Sequence, residues 1–249
     1  RVLPMLASLL ATAIDREQMR RSDAAKTAVL RSVSHDLRSP ITAILTAGEL
    51  LGTVRHRLSP AERDELLTSI RLQAKRLERF VSNLLDLSRL EAGAARPSPE
   101  LWPIDGLVAR ALEAIGPENE RVDVVLPPEL PPVRVDPVQL EHVFVNLLDN
   151  ALKFSPPATT IAVRAVQECG EIVVRVIDRG PGIPRHDQER IFEAFSRGTS
   201  GDGSGLGLAI ARGFAQLNGG RLWVESEPPQ GSVFAFALSA AAVPVRSAA

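Results

Sequence analysis

Between about Asp15 and Thr53, Leu30, Leu37, Ile44 and Leu51 recur at intervals of seven in an otherwise charged and alanine-rich stretch. A seven-residue apolar repeat lines one seam of a helix and marks a coiled coil or a bundle. A second helix is signalled at Ser59-Pro60-Ala61-Glu62. There the Ser hydroxyl can cap the first free amides, Pro suits the first helical position, and Glu closes a capping box. Ile70, Leu77 and Leu84 carry the same repeat, Leu66, Phe80, Val81 and Leu87 widen it, and Gly93 stops the helix after about Ala92. Two such helices joined by a short turn form an antiparallel hairpin. A hairpin cannot bury its own apolar face, and a second copy would complete a four-helix bundle, so a homodimer is expected. The bland alternative is a monomer whose stripe packs on the rest of the chain.

After Gly93 the periodicity breaks in a stretch rich in Pro and small residues. Beyond it the pattern predicts a helix at 104–115, a strand at 121–126, a Pro-rich turn at 127–132 and a helix over Pro137–Phe154. Strands near 160–167 and 171–178, a Gly-rich region, a helix at 205–218 and strands at 221–226 and 232–238 complete it. Strands and helices interleave without regular βαβ alternation, which predicts an α+β domain with a mixed sheet covered by helices on one face. The expected division is an N-terminal helix or linker at 1–25, the hairpin at 26–93, a linker at 94–103, the α+β domain at 104–240 and a flexible tail at 241–249.

Composition narrows the functions open to this architecture. Lys and Arg total 29 against 30 Asp and Glu, so no overall field draws the chain to nucleic acid or to an anionic membrane. An anionic ligand must then be held by local groups. A single cysteine, Cys169, excludes an internal disulfide framework, fits a reducing cytoplasm, and is read as a small buried or strand residue rather than a nucleophile. The apolar stretch Val2–Ile14 is too short to span a bilayer, so no membrane contact is expected here. The chain opens on Arg1 and is expected to be cut from something longer, with an anchor possible upstream.

If Leu30, Leu37 and Ile44 take the a positions, His35 falls at f, facing away from the seam and toward solvent. A group that must be reached by another domain needs that exposure. His35 lies in Ser34-His35-Asp36-Leu37-Arg38-Ser39-Pro40. Asp36 can take the imidazole proton as the other ring nitrogen attacks, and Pro40 is expected to bend the helix. The segment resembles the H-box of sensor histidine kinases. That resemblance implies phosphorylation of His35, general-base action by Asp36, and a water-positioning role in phosphatase activity for Ser39, where the family usually has Thr or Asn. It makes 26–93 a dimerisation and phosphotransfer domain and 1–25 the helix that brings in a signal.

Three further motifs resemble the N-, G1- and G2-boxes of the Bergerat ATP-binding fold, an α/β sandwich shared by histidine kinases, type II topoisomerases, Hsp90 chaperones and MutL-type repair proteins. The first is Asn146-Leu-Leu-Asp-Asn150-Ala-Leu-Lys153-Phe154. Two Asn four residues apart share a helix face, where both amide oxygens can aim at one cation. The resemblance makes Asn150 the Mg2+ ligand, puts Asn146 near the phosphates and Lys153 on phosphate charge, and packs Phe154 near adenine. The second is Asp178-Arg-Gly180-Pro-Gly182-Ile-Pro184, whose Asp can accept the adenine amino protons from a strand end. The third is Gly203-Ser-Gly205-Leu206-Gly207, where backbone amides leading into a helix can cradle phosphate. Phe192-Glu-Ala-Phe195-Ser-Arg197 resembles the F-box, and Arg197 is read either as a γ-phosphate contact or as a solvated charge. Ser232 resembles a late Gly-Ser element beside adenine. The stretch 184–204, polar and Gly-rich, is expected to be a mobile lid.

The resemblance as a whole implies phosphoryl transfer from Mg-ATP to His35, and onward to an aspartate of a response-regulator receiver domain. Two other readings compete: a topoisomerase- or chaperone-like ATPase that phosphorylates no protein, and a dimeric scaffold that only binds nucleotide. The remaining histidines, His56, His142 and His186, lie at no metal-ligand spacing, and no zinc site is expected.

Overall fold

The structure is a computed structural model that describes residues 34, 36–53, 57–196 and 204–241. It divides into two compact units, 1–81 and 82–249. In the first unit, helix α1 covers residues 36–53 and runs through Pro40 without interruption. Helix α2, Pro60–Glu91, begins in the first unit and ends in the second. Its start follows the sequence reading. The Ser59 backbone N–H donates to Glu62 Oε2 at 2.7 Å, and the Glu62 N–H donates to Ser59 Oγ at 3.2 Å. Phe80 and Ala47 are buried, and Leu66, Ile70, Leu77 and Leu84 are half-buried. A second apolar row stays open to solvent on the single chain, with Ile41 and Leu45 on α1 and Leu67, Val81 and Leu85 on α2.

The second unit is built on a five-stranded mixed sheet. Its elements run β1 (Glu100–Trp102), α3 (Ile104–Ile115), β2 (Val122–Val125), β3 (Val133–Val135), α4 (Pro137–Phe154), β4 (Ile161–Glu168) and β5 (Glu171–Ile177). Helix α5 (Gly207–Leu217) and strands β6 (Arg221–Ser226) and β7 (Ser232–Ser239) complete it. The sheet order is β2-β4-β5-β7-β6, with only the β2–β4 pair parallel. Alternation along β7 decides which face is covered. Phe234 and Phe236 point toward the helices, Phe236 meeting Phe144 of α4 edge to face at 4.9 Å, while Ala235 and Ala237 join Val173 on the other side. Helix α4 packs between α3 and α5, and Leu140, Phe144, Leu147 and Leu148 are sealed from solvent.

Three sequence expectations change. Residues 94–103 are not all linker, because Glu100–Trp102 pairs antiparallel with Val133–Val135 as a small second sheet. Three-residue strands are too short to show alternation, so the pattern could not reveal them. The expected lid also has a firm first part. Residues 185–187 and 190–192 are short 3₁₀ turns, Phe192 is buried edge to face against Phe234, and the Arg212 guanidinium lies over the Phe192 ring at 4.9 Å. One aromatic anchor outweighs a polar average. Cys169, expected to be buried or in a strand, is instead exposed in the turn between β4 and β5, since such connections run over the surface.

Candidate nucleotide site

The ends of β5 and β6 lie beside the start of β7, and Asp178, just past β5, forms a row there with Ser232 and Ser226. Ile177 pairs with Val233, and the next step brings Asp178 opposite Ser232, whose carbonyl accepts the Asp178 N–H at 2.9 Å. Ser232 in turn pairs with Ser226. Directly opposed residues share a sheet face, here the helix-covered face of Phe234 and Phe236. Asp178 is 4% and Ser232 5% exposed. Asp178 Oδ1 accepts the N–H groups of Gly180 at 2.7 Å and Ser232 at 3.1 Å. Burial pushes the Asp178 carboxyl above its ordinary pKa, and the two backbone N–H groups pull the other way. Oδ2 keeps its capacity to accept a ligand's amino group. Gly231 makes the row possible, since a Cβ at its φ of +90° would fall 2.2 Å from the Asp178 carbonyl oxygen.

The helical side of the site comes from α4. Asp136 caps this helix by accepting the Val138 and Gln139 N–H groups, and Pro137 takes the first position. Asn146 is buried and Asn150, one turn later, is half-buried. Gly207, which opens α5, lies so close that a Cβ there would sit 2.7 Å from Asn146 Oδ1. At the end of α4 the Lys153 ammonium lies 4.7 Å over the Phe154 ring, and both residues are exposed. The Gly205 carbonyl accepts the Phe195 N–H at 2.9 Å, which ties the end of the F-box-like segment to the glycine loop. The Leu206 side chain is in the core, so only its backbone is open to a ligand. The structure therefore gathers Asn146, Asn150, Asp178, Gly180, Gly182, Gly205, Gly207 and Ser232 in the second unit.

Comparisons with known proteins identify the two domains. Residues 25–93 match the His Kinase A phospho-acceptor domain, and residues 135–242 match the histidine kinase-, DNA gyrase B- and HSP90-like ATPase domain. The chain belongs to the sensor histidine kinases. It is 34% identical over 236 residues to the adaptive-response sensory kinase SasA of Synechocystis sp., a match covering 90% of the chain and 62% of SasA. The chain thus spans less than two thirds of that relative. Among solved structures it resembles the Acinetobacter baumannii histidine kinase AdeS, with a TM-score of 0.63, 26% identity, and coverage of 83% of this chain and 98% of that one. It also resembles full-length ShkA solved with AMPPNP, with a TM-score of 0.62, 30% identity, and coverage of 88% and 47%. The second domain of this histidine kinase is an ATP-binding domain.

His35, Arg197 and Gly203 lie outside the described residues, as does His56. Asp36 is half-buried and Ser39 exposed on α1, in the first unit. Among the described residues, no three His, Cys, Asp or Glu side chains cluster as metal ligands, and no helix is long and apolar enough to cross a membrane. His142 is more than a surface histidine, since its Nδ1 lies 2.9 Å from Asp86 Oδ2. The sequence reading missed Ser155, Gln188 and Ser226. Ser155 Oγ accepts the Arg179 N–H at 3.1 Å, and Gln188 Nε2 donates to the carbonyls of Ile183 and Ser226. Counting the pairs of the expected 221–226 and 232–238 hairpin would have put Ser226 opposite Ser232. No sequence signal marks the other two.

Proposed function

We propose that the chain binds Mg-ATP on α4 and the Asp178 row, and transfers the γ-phosphoryl group to His35. The observation that carries the reading is the meeting of three separate motifs around α4: Asn146 lies against Gly207 of α5, and a Cβ at Gly180 would fall 3.2 Å from the Phe154 carbonyl oxygen at the end of α4. The unprotonated imidazole nitrogen of His35 forms the P–N bond as the bond to the ADP oxygen breaks, and the proton on the other ring nitrogen passes to Asp36. Lys153 offsets phosphate charge, Asp178 accepts from the adenine amino group, and the Gly203–Gly207 backbone with the α5 N-terminus receives phosphate oxygens. Arg197 contributes at the γ-phosphate, and Phe154 packs beside the base.

Asn150, with Asn146 beside it, supplies the neutral oxygen donors suited to a small hard cation whose other ligands are phosphates and water, and the lack of a Cβ at Gly207 leaves Asn146 Oδ1 uncrowded. When bound, Mg2+ supplies charge neutralisation on the phosphates.

The second apolar row on α1 and α2 supports a homodimer. Leu45 at 60% and Leu85 at 54% exposure are left without cover on a single chain. The phosphoryl group then passes to an aspartate of a response-regulator receiver domain, and Ser39 places water for the reverse dephosphorylation. The reading locates this machinery on the cytoplasmic side, in domains 26–93 and 104–240.

Incubation with γ-labelled ATP tests the proposal. Acid-labile, alkali-stable label on the wild type, absent from His35→Ala, is expected. ATP hydrolysis without label would point to an ATPase, and binding alone to a scaffold.

A further inference from the structure

We infer that Ser226 is a positioning residue that makes the floor of the nucleotide site accept hydrogen bonds only, and so selects a 6-amino purine over a 6-oxo purine. The inference rests on the Asp178 row being the base site proposed above. It follows from the valence of one hydroxyl. Ser226 Oγ lies 2.7 Å from the Gly231 carbonyl oxygen, 2.8 Å from the Ile183 backbone nitrogen and 3.1 Å from Ser232 Oγ. A hydroxyl has one proton to donate and two lone pairs with which to accept. The Gly231 carbonyl can only accept, so it takes the Ser226 proton. The Ile183 N–H can only donate, so it fills one lone pair. The contact with Ser232 must then run from the Ser232 hydroxyl to the last lone pair of Ser226.

Ser232 therefore spends its single proton within the protein and keeps only acceptor capacity. Beside it in the row, Asp178 has committed Oδ1 to two backbone N–H groups and presents a carboxylate oxygen. Two neighbouring acceptors suit the two protons of an exocyclic amino group. They repel a carbonyl oxygen in the same place. Selectivity built on hydrogen-bond polarity is larger than selectivity built on size, because the mismatched partner leaves buried groups unpaired. Ser226 is held for this task from both ends. Its carbonyl takes an amide proton of Gln188 at 2.8 Å, and Gln188 also bonds the Ile183 carbonyl at 3.0 Å. The turn after Gly182, the Gly231 turn and the base row are thereby linked through one residue.

The test measures binding of ATP and of inosine triphosphate, which carries oxygen in place of the 6-amino group and a proton on the neighbouring N1, by calorimetry on the whole chain; the N1 proton is the same for every variant, so only the change in preference is read. Ser226→Ala frees the Ser232 proton to donate to the 6-oxo group. The preference for ATP over inosine triphosphate should then fall about tenfold, the factor that one hydrogen bond of ordinary net strength is worth. In a Ser232→Ala background the same substitution should change nothing, because the two residues act through one contact. Ser226→Cys, whose thiol is weak in both roles, fills the same space and serves if the alanine variant does not fold. An unchanged preference, an equal loss of both nucleotides, or an effect that persists without the Ser232 hydroxyl would overturn the inference. All of these readouts are of binding. A chain that binds with the expected preference yet fails to label His35 would sink the kinase proposal and leave this one standing.

Discussion

On the proposed reading of the site, Asp178 pits stability against binding at a single carboxylate. Its pKa is raised above 3.8, first by burial, so the sign is that of an acid whose charged form is disfavoured in the folded state. The cost of burying the charge is absent below the unfolded value and present once pH exceeds the folded one. Asp178→Asn removes that cost at neutral pH while turning the acceptor proposed to face the base into a donor. The variant should melt no lower than the wild type by calorimetry, yet lose at least about 100-fold in ATP affinity. Gly207→Ala acts by space alone. The added methyl would lie 2.7 Å from Asn146 Oδ1, so ATP titration should show weakened binding with little change in secondary structure by circular dichroism. Both residues could be picked from the sequence, because motif residue types reflect what a ligand demands. Ser226 could not be picked by type. A serine in a strand carries no signal until the strand opposite it is known.

At the scale of elements, long periodic segments could be read and short or aperiodic ones could not. α2 runs Pro60–Glu91 against the expected 59–92, because a capping box and a heptad repeat are local facts. β1 and β3, three residues each, exist only through their pairing. The end of α2 carries a contact that sequence could not have indicated. Asp86 and His142 meet at 2.9 Å across 56 residues, with Phe214 edge to face against the His142 ring at 5.8 Å. The His142 pKa is raised above 6.5 mainly by the Asp86 hydrogen bond, with burial opposing and the charges of Asp86, Glu141 and Asp136 adding to the rise. A raised folded pKa means the stabilisation is complete below the unfolded value and fades as pH climbs through the folded one. Melting temperatures of the wild type and Asp86→Asn, taken from about pH 6 to about pH 9, should therefore differ most at the acidic end and converge at the alkaline end. Parallel curves would show that the pair does not titrate in that window.

For the molecule as a whole, the open apolar row predicts an assembly. Leu67 and Val81 lie fourteen residues apart, two heptads, on one stripe of α2 and are 47% and 45% exposed. Replacing both with Glu should convert a dimer to a monomer in sedimentation equilibrium while the ATP-binding domain keeps its nucleotide affinity. Order within the second unit is maintained by a few polar nodes, and Asp136 is one of them. One of its oxygens caps α4, the other accepts the Ser98 N–H at 2.9 Å, and its own N–H donates to Asn218 at the end of α5. Because these bonds share one carboxylate, the strand of chain entering at Ser98 cannot be peeled away without disturbing the cap on the helix that bears Asn146 and Asn150. Loss of such a cap costs about 0.5–2 kcal/mol. A pull on the chain at Ser98 therefore bears directly on the first turn of α4, which turns a tether into a lever on that helix.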